Sequence, residues 1–143
     1  MCVLHVSSNS SSFMAFLGQT TLPVYQSHEK GDTCSRGRRT AWDDYGFSCT
    51  VSDRDWRDLV GQIEDATRFL NTHGEQLGLL RQTHSIDDMR FDFPYECRLG
   101  QSVVIQCDYL PPDLLSLASQ HGIGIELSMY HPSQEEPASK TPA

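Results

Sequence analysis

Four short stretches of this chain alternate apolar and polar residues with period two. They are 45–51 (Tyr45, Phe47, Cys49, Val51), 89–95 (Met89, Phe91, Phe93, Tyr95), 103–107 (Val103, Ile105, Cys107) and 123–129 (Ile123, Ile125, Leu127, Met129). Successive strand side chains point to opposite sides of a sheet, so the pattern predicts a mainly antiparallel sheet with one buried and one wetter face. Residues 2–6 supply a further strand, with Cys2, Leu4 and Val6 on one side and Val3 and His5 on the other.

Between these stretches the period changes to that of a helix. Ser10, Ser11 and Ser12 precede the apolar run 13–17, which Gly18 closes; serine caps free amides and glycine accepts a left-handed terminus, so one or two helical turns are expected there. Ser52, Asp53, Arg54 and Asp55 resemble a capping box, followed by Trp56, Leu59, Val60, Ile63, Thr67 and Leu70 at spacings of three and four. This predicts a helix from Asp53 to about Asn71, with Asp58, Gln62, Asp65 and Arg68 on its outer side and Trp56 in the core. Gly74 and Gly78 bracket a further helical turn over 75–81. Residues 98–101 read as the turn of a hairpin joining strands 89–95 and 103–107. Pro111 and Pro112 open a helix that ends at His121 and Gly122, immediately before the last strand. If the strands flanking that helix run parallel, the crossover is right-handed.

The expected architecture is an α+β two-layer sandwich, a mainly antiparallel sheet of four to five strands with helices on one face. At 143 residues the length suits one domain over 1–131, and the proline-rich stretch 132–143, which lacks large apolar residues, reads as a disordered tail. The excursion 19–40, punctuated by Pro23, Gly31 and Gly37, has no periodicity and reads as a long functional or mobile loop.

Net charge excludes some function classes. At −8 the chain lacks the clustered Lys and Arg on which duplex nucleic-acid binding rests, and its one basic cluster, Arg36, Arg38 and Arg39, is brief. An acidic surface suits solubility, or attraction to a basic partner. No run approaches the roughly 18 apolar residues needed to span a bilayer. The first residues have no secretory-signal pattern, which points to the cytoplasm. Five widely spaced cysteines without C-x-x-C then read as reduced thiols, with Cys49 and Cys107 as small buried hydrophobes and Cys34 as the most exposed.

The early strand and Phe16-Leu17-Gly18, the loop with Pro23 and Lys30-Gly31-Asp32, Trp42 before a strand, the long helix, and the ending 121–130 (HGIGIELSMY) together resemble an uncharacterised family of small bacterial domains, some associated with immunity proteins of toxin systems. The resemblance implies one α+β domain over most of residues 1–130. It carries no catalytic residues.

Known chemical motifs are missing. There is no H-x-H, H-E-x-x-H or C-x-x-C for a metal, no G-x-S-x-G for a nucleophile, and no P-loop; Gly122 and Gly124 precede a strand, where a dinucleotide fingerprint follows one. No cofactor is expected. Trp42, before a strand, reads as a core plug in preference to an exposed anchor. The wetter sheet face offers Ser48, Thr50, Arg90, Asp92, Gln106, Asp108, Glu126, Ser128 and Tyr130, and the loop adds Asp32, Arg36 and Arg38. Arg90, Asp92, Asp108, Glu126, Tyr130, Asp32, Arg36 and Arg38 are therefore the candidate binding residues, suited to a toxin-like or basic protein partner. The first expectation is a non-enzymatic, immunity-like binding domain. A small enzyme or ligand binder with a pocket between the loop and the helix layer, using His28, Cys34 or Asp43, is the second; a self-associating domain, including a homodimer, is the third.

Overall fold

A computed structural model describes residues 1–35, 37 and 40–131. Its elements in chain order are β1 (Cys2–Ser8), α1 (Met14–Leu17), β2 (Val24–His28), β3 (Tyr45–Ser52), α2 (Leu59–Thr83), β4 (Asp88–Glu96), α3 (Pro112–Gln120) and β5 (Gly124–Tyr130). The five strands form one sheet in the order β2-β3-β1-β4-β5. The β2–β3, β3–β1 and β1–β4 pairs are antiparallel, and β4–β5 is parallel. The sheet is thus mixed, because α3 returns the chain to the starting end of β4 before β5 begins, the connection that parallel strands require.

Period-two alternation gives the sheet its two faces. Leu4, Val6, Phe47, Cys49, Met89, Phe91 and Phe93 point to one side and are almost completely buried. Over them lie Ile63, Ala66, Phe69, Leu70, Leu77 and Leu80 of α2, Leu114 and Ala118 of α3, and Phe13 and Phe16 around α1. Phe69 meets Phe91 edge-on at 6.2 Å, and Phe91 meets Phe93 at 5.9 Å. Each such side chain is worth about 1.5–3 kcal/mol when fully buried, so this single apolar layer dominates the fold's stability. The α+β sandwich is as expected.

Several local expectations are corrected. The 19–40 stretch is not one loop: Leu22 is buried, and β2 pairs with β3 at the sheet edge, leaving 29–44 as the true excursion. Segment 103–107 is not a strand and makes no hairpin with β4, because both edges of β4 are already taken by β1 and β5. Val104 and Ile105 are accordingly 85% and 71% exposed, and Cys107 is exposed rather than buried.

The long helix begins at Leu59, not Asp53; the Ser52 hydroxyl accepts from the Arg54 amide at 3.2 Å and donates to Asp65, but the turn it closes does not continue as the helix. Asp58 serves as the cap, accepting from the Gly61 amide at 2.9 Å. The helix then runs through Gly74 and Gly78 to Thr83, absorbing the separate turn expected at 75–81. Its buried stripe is shifted: Val60 is 69% exposed, whereas Gln62 is fully buried, its Nε2 donating to the carbonyls of Asp55 and Pro94. Trp56, outside the helix, is half-buried, its ring edge against Tyr130.

At the short helix, the Ser12 hydroxyl accepts from the Met14 amide, but Gly18 closes the turn with φ −69° and uses none of its left-handed freedom. Gly122 does use it, at φ +61°, directly after α3, and Arg81 of α2 donates to the carbonyls of His121 and Gly122 there. The tail 132–143 lies outside the described residues. No helix among the described residues is long and apolar enough to cross a membrane.

Candidate functional site

All three helices cover the same side of the sheet, so the opposite side is where side chains remain available. Pairing registers place Gln26, Ser48, His5 and Arg90 in one row across β2, β3, β1 and β4. A neighbouring row holds His28, Gly46, Ser7 and Asp88. On the other flank of Arg90, Asp92 lies beside Glu126 of β5. The first two rows and the end of the 29–44 excursion enclose a recess of about 230 Å³, lined by His5, Gln26, His28, Trp42, Asp44 and Arg90 among others.

The recess wall is built by packing. His28 stacks on Trp42 with ring centroids 3.7 Å apart and 15° between planes, and its Nε2 lies 2.9 Å from Asp44 Oδ1. Beneath the imidazole is Gly46, the residue type that lets another group approach a strand this closely. An added Cβ there would lie 2.5 Å from His28 Cε1. The excursion is tied down where it carries Trp42: the Trp42 amide donates to the Asp32 carbonyl, the Gly31 amide to the Trp42 carbonyl, and Thr33 bridges Ala41. Trp42 is thus neither core plug nor bare anchor, but one half-buried side of an aromatic pair.

At the recess floor, His5 Nδ1 lies 2.9 Å from Ser48 Oγ. Burial, and then the Arg90 guanidinium, hold the His5 imidazole below its ordinary value, so it is neutral near pH 7. Arg90 forms ion pairs with Asp88 and Glu126, and the Glu126 hydrogen bond is the main reason its own value is raised. Asp92 accepts a 2.6 Å hydrogen bond from the Ser128 hydroxyl.

A serine beside a neutral histidine is the first half of a nucleophile and base pair. The rest of that chemistry is not assembled. β3 is paired on both sides, so the backbone amides around Ser48 belong to the ladder, and the Arg90 guanidinium is engaged by two carboxylates. What the face offers is an excess of carboxylates next to an aromatic stack: Asp88 and Glu126 share Arg90, Asp92 lies beside Glu126, and Asp44 meets His28, an arrangement suited to a cationic group.

Of the residues expected from sequence, Arg90, Asp92 and Glu126 are together on this face. Asp108 is not; it lies in the segment before α3, in a 2.7 Å ion pair with Arg98, and the expected pairing with Glu126 is absent because 103–107 is no strand. Burial raises the Asp108 carboxyl, and the Arg98 and Gln106 hydrogen bonds more than reverse this, leaving it below the usual range. Tyr130 ends β5 against Trp56, apart from the recess. Asp32 shapes the excursion, its carboxylate accepting from the Glu29 amide at 2.7 Å. Arg36 and Arg38 lie outside the described residues. Cys34 is buried rather than the most exposed thiol.

The sequence points to His28 only for a pocket against the helix layer, and does not single out His5, Asp44, Asp88 or Gly46 as members of the site. The signal available was the alternation in 24–28, which places Gln26 and His28 on one side of a short edge strand.

A larger hollow of about 760 Å³ opens between the end of β3 and α2. It is wide and its charges are internally matched: Asp65 takes the Ser52 hydroxyl and the Arg54 and Arg68 guanidiniums. It contains none of His28, Cys34 or Asp43. Among the described residues, no three His, Cys, Asp or Glu side chains converge as metal ligands. Comparison with protein-family models, with curated proteins and with solved structures finds no match to this chain.

Proposed function

We propose that this chain is a non-enzymatic binding domain that holds a basic protein partner on its open sheet face. One observation carries the reading: the sheet face opposite the helices presents Asp88 and Glu126 on Arg90, Asp92 beside Glu126, and Asp44 in a recess walled by the His28–Trp42 stack. A lysine or arginine from a partner would meet carboxylates at the rim and an aromatic face at the wall, which is the arrangement that anchors cationic side chains at interfaces. The net charge of −8 would steer such a partner toward the surface.

The test compares the full chain with an Asp88→Lys, Glu126→Lys variant in affinity capture from the native host at low and high salt. A basic protein retained by the wild type, released by salt and lost by the variant supports the reading. Capture of no protein, together with a thermal shift by a specific small molecule, overturns it in favour of a ligand-binding role.

A further inference from the structure

The two edges of the sheet are unlike. β2 is five residues long, follows Pro23 and has a register irregularity between Val24 and Gln26. These are features that blunt an edge against further pairing. β5 has none of them. It runs seven residues in unbroken parallel register with β4, contains no Lys, Arg or Pro, and its single carboxylate, Glu126, is engaged by Arg90. Among the described residues no other strand lies beyond it.

The side chains of this edge are apolar on the helix side. Leu127 and Met129 are 44% and 51% exposed, although the positions they pair with in β4, Phe93 and Tyr95, are buried. Next to them an apolar recess of about 490 Å³ is lined by Leu110, Leu115, Ile123, Ile125 and Leu127. These residues stand where a sixth strand would cover them.

We infer that β5 is the self-pairing edge of a homodimer, in which two copies join antiparallel about a twofold axis through Leu127. Antiparallel pairing of one strand with its own copy is closed and isologous, so it makes a dimer and not a fibre. Centring on Leu127 uses all seven residues. It sets Ile125 opposite Met129 of the second copy, which carries that methionine toward the apolar recess, and it sets Glu126 opposite Ser128. Centring one residue earlier would put Glu126 against its own copy, a like-charge pair that destabilises a ladder. A standard interface covers about 800 Å² on each partner, under a tenth of the 9241 Å² surface here. The dimer would be one ten-strand sheet with both open faces on the same side, presenting two basic-partner sites together.

The experiment is the solution mass of the full chain by light scattering or sedimentation, with reductant present so that Cys107 cannot link copies. The expected mass is twice the 16.1 kDa of one chain, at concentrations up to about 100 μM, where a weak interface is populated. Raising salt strengthens the dimer, since two chains of −8 repel less when screened. Leu127→Lys places a charge in the ladder and weakens association by about tenfold or more, whereas Val104→Lys, on an apolar residue away from β5, leaves it unchanged. If circular dichroism shows that Leu127→Lys unfolds, Met129→Lys replaces it. A monomer at every concentration overturns the inference, whether the edge is bare or covered by residues 132–143. So does a dimer that ignores the lysine in β5, or one that disappears with reductant. Failure of the dimer leaves the capture experiment with the basic partner untouched, because that surface is formed within one copy.

Discussion

Gly46 is the residue on which the recess depends. A methyl group there would sit 2.5 Å from His28 Cε1 and 3.1 Å from the Val6 carbonyl oxygen, and the oxygen belongs to a paired strand and cannot retreat. Gly46→Ala must therefore push the imidazole off its seat, breaking both the stack on Trp42 and the contact with Asp44. The expected cost is about 1–3 kcal/mol, the range for overpacking a tight site, read as a lower urea midpoint. The His28 ring resonances and the tryptophan fluorescence should shift with it. Unchanged spectra with unchanged stability would show that the recess is not built on this glycine. The same residue shows why the site was only partly legible in the sequence. Arg90, Asp92 and Glu126 could be named because each lies in a stretch of strict alternation, which fixes its face. The sequence offers His28 only for a different pocket, and the alternation in 24–28 and 45–51 does not show that His28 comes to rest on Gly46, which depends on the pairing of β2 with β3. The place of Asp44 depends on the path of the 29–44 excursion, which leaves no periodic trace.

At the scale of elements, periodicity located β1, β3, β4 and β5 and failed for 103–107, whose expected hairpin partner β4 is flanked on both sides by β1 and β5. Asp108 was misplaced for that reason alone. The start of α2 differs from the capping-box pattern because the Ser52 hydroxyl, accepting from the Arg54 amide and donating to Asp65, closes only a local turn, and Asp58 caps the helix. Two interior glycines also argued for a break that the apolar spacing of Leu70, Leu77 and Leu80 overrides by burial. Those glycines give a direct prediction. A Cβ at Gly78 meets nothing within 4 Å, so Gly78→Ala removes only backbone freedom from the unfolded chain and should stabilise the protein by about 0.5–1 kcal/mol. At Gly74 the Cβ would lie 3.0 Å from the His121 ring, so Gly74→Ala should gain less, or nothing if the ring cannot yield. Denaturant unfolding of the two variants ranks them. Equal or reversed effects would mean that α2 and the α3–β5 corner are not packed as described.

For the whole molecule, the resolved perturbations of its acids and its recess histidine combine into one dependence on pH. Burial and the Arg90 guanidinium lower the proton affinity of His5 in the fold. As pH falls through about 6.5 the unfolded chain takes up this proton before the folded one does, so stability declines from there. Asp65 is held low chiefly by the Ser52 hydroxyl, against burial and with help from Arg68, and Asp108 is held low by Arg98 and Gln106. For these carboxylates the contribution is present above the ordinary value of about 3.9 and is lost as pH falls through the lower folded value. Acid should therefore weaken the fold in two stages, one below about pH 6.5 and one below about pH 4. A tenfold difference in proton affinity between folded and unfolded states is worth about 1.4 kcal/mol, and for the half-buried His5 solvent screening keeps the effect smaller. Urea midpoints measured from about pH 8 to pH 3 resolve the two stages. His5→Gln keeps a polar partner for Ser48 and should flatten only the first stage. Asp65→Asn should lower stability at neutral pH and reduce the second stage, because the group that gained from ionisation in the fold is gone. If His5→Gln leaves the slope between about pH 7 and pH 5 unchanged, the imidazole is not held neutral on the open face, and the electrostatics assigned to the recess floor must be redrawn around Arg90 alone.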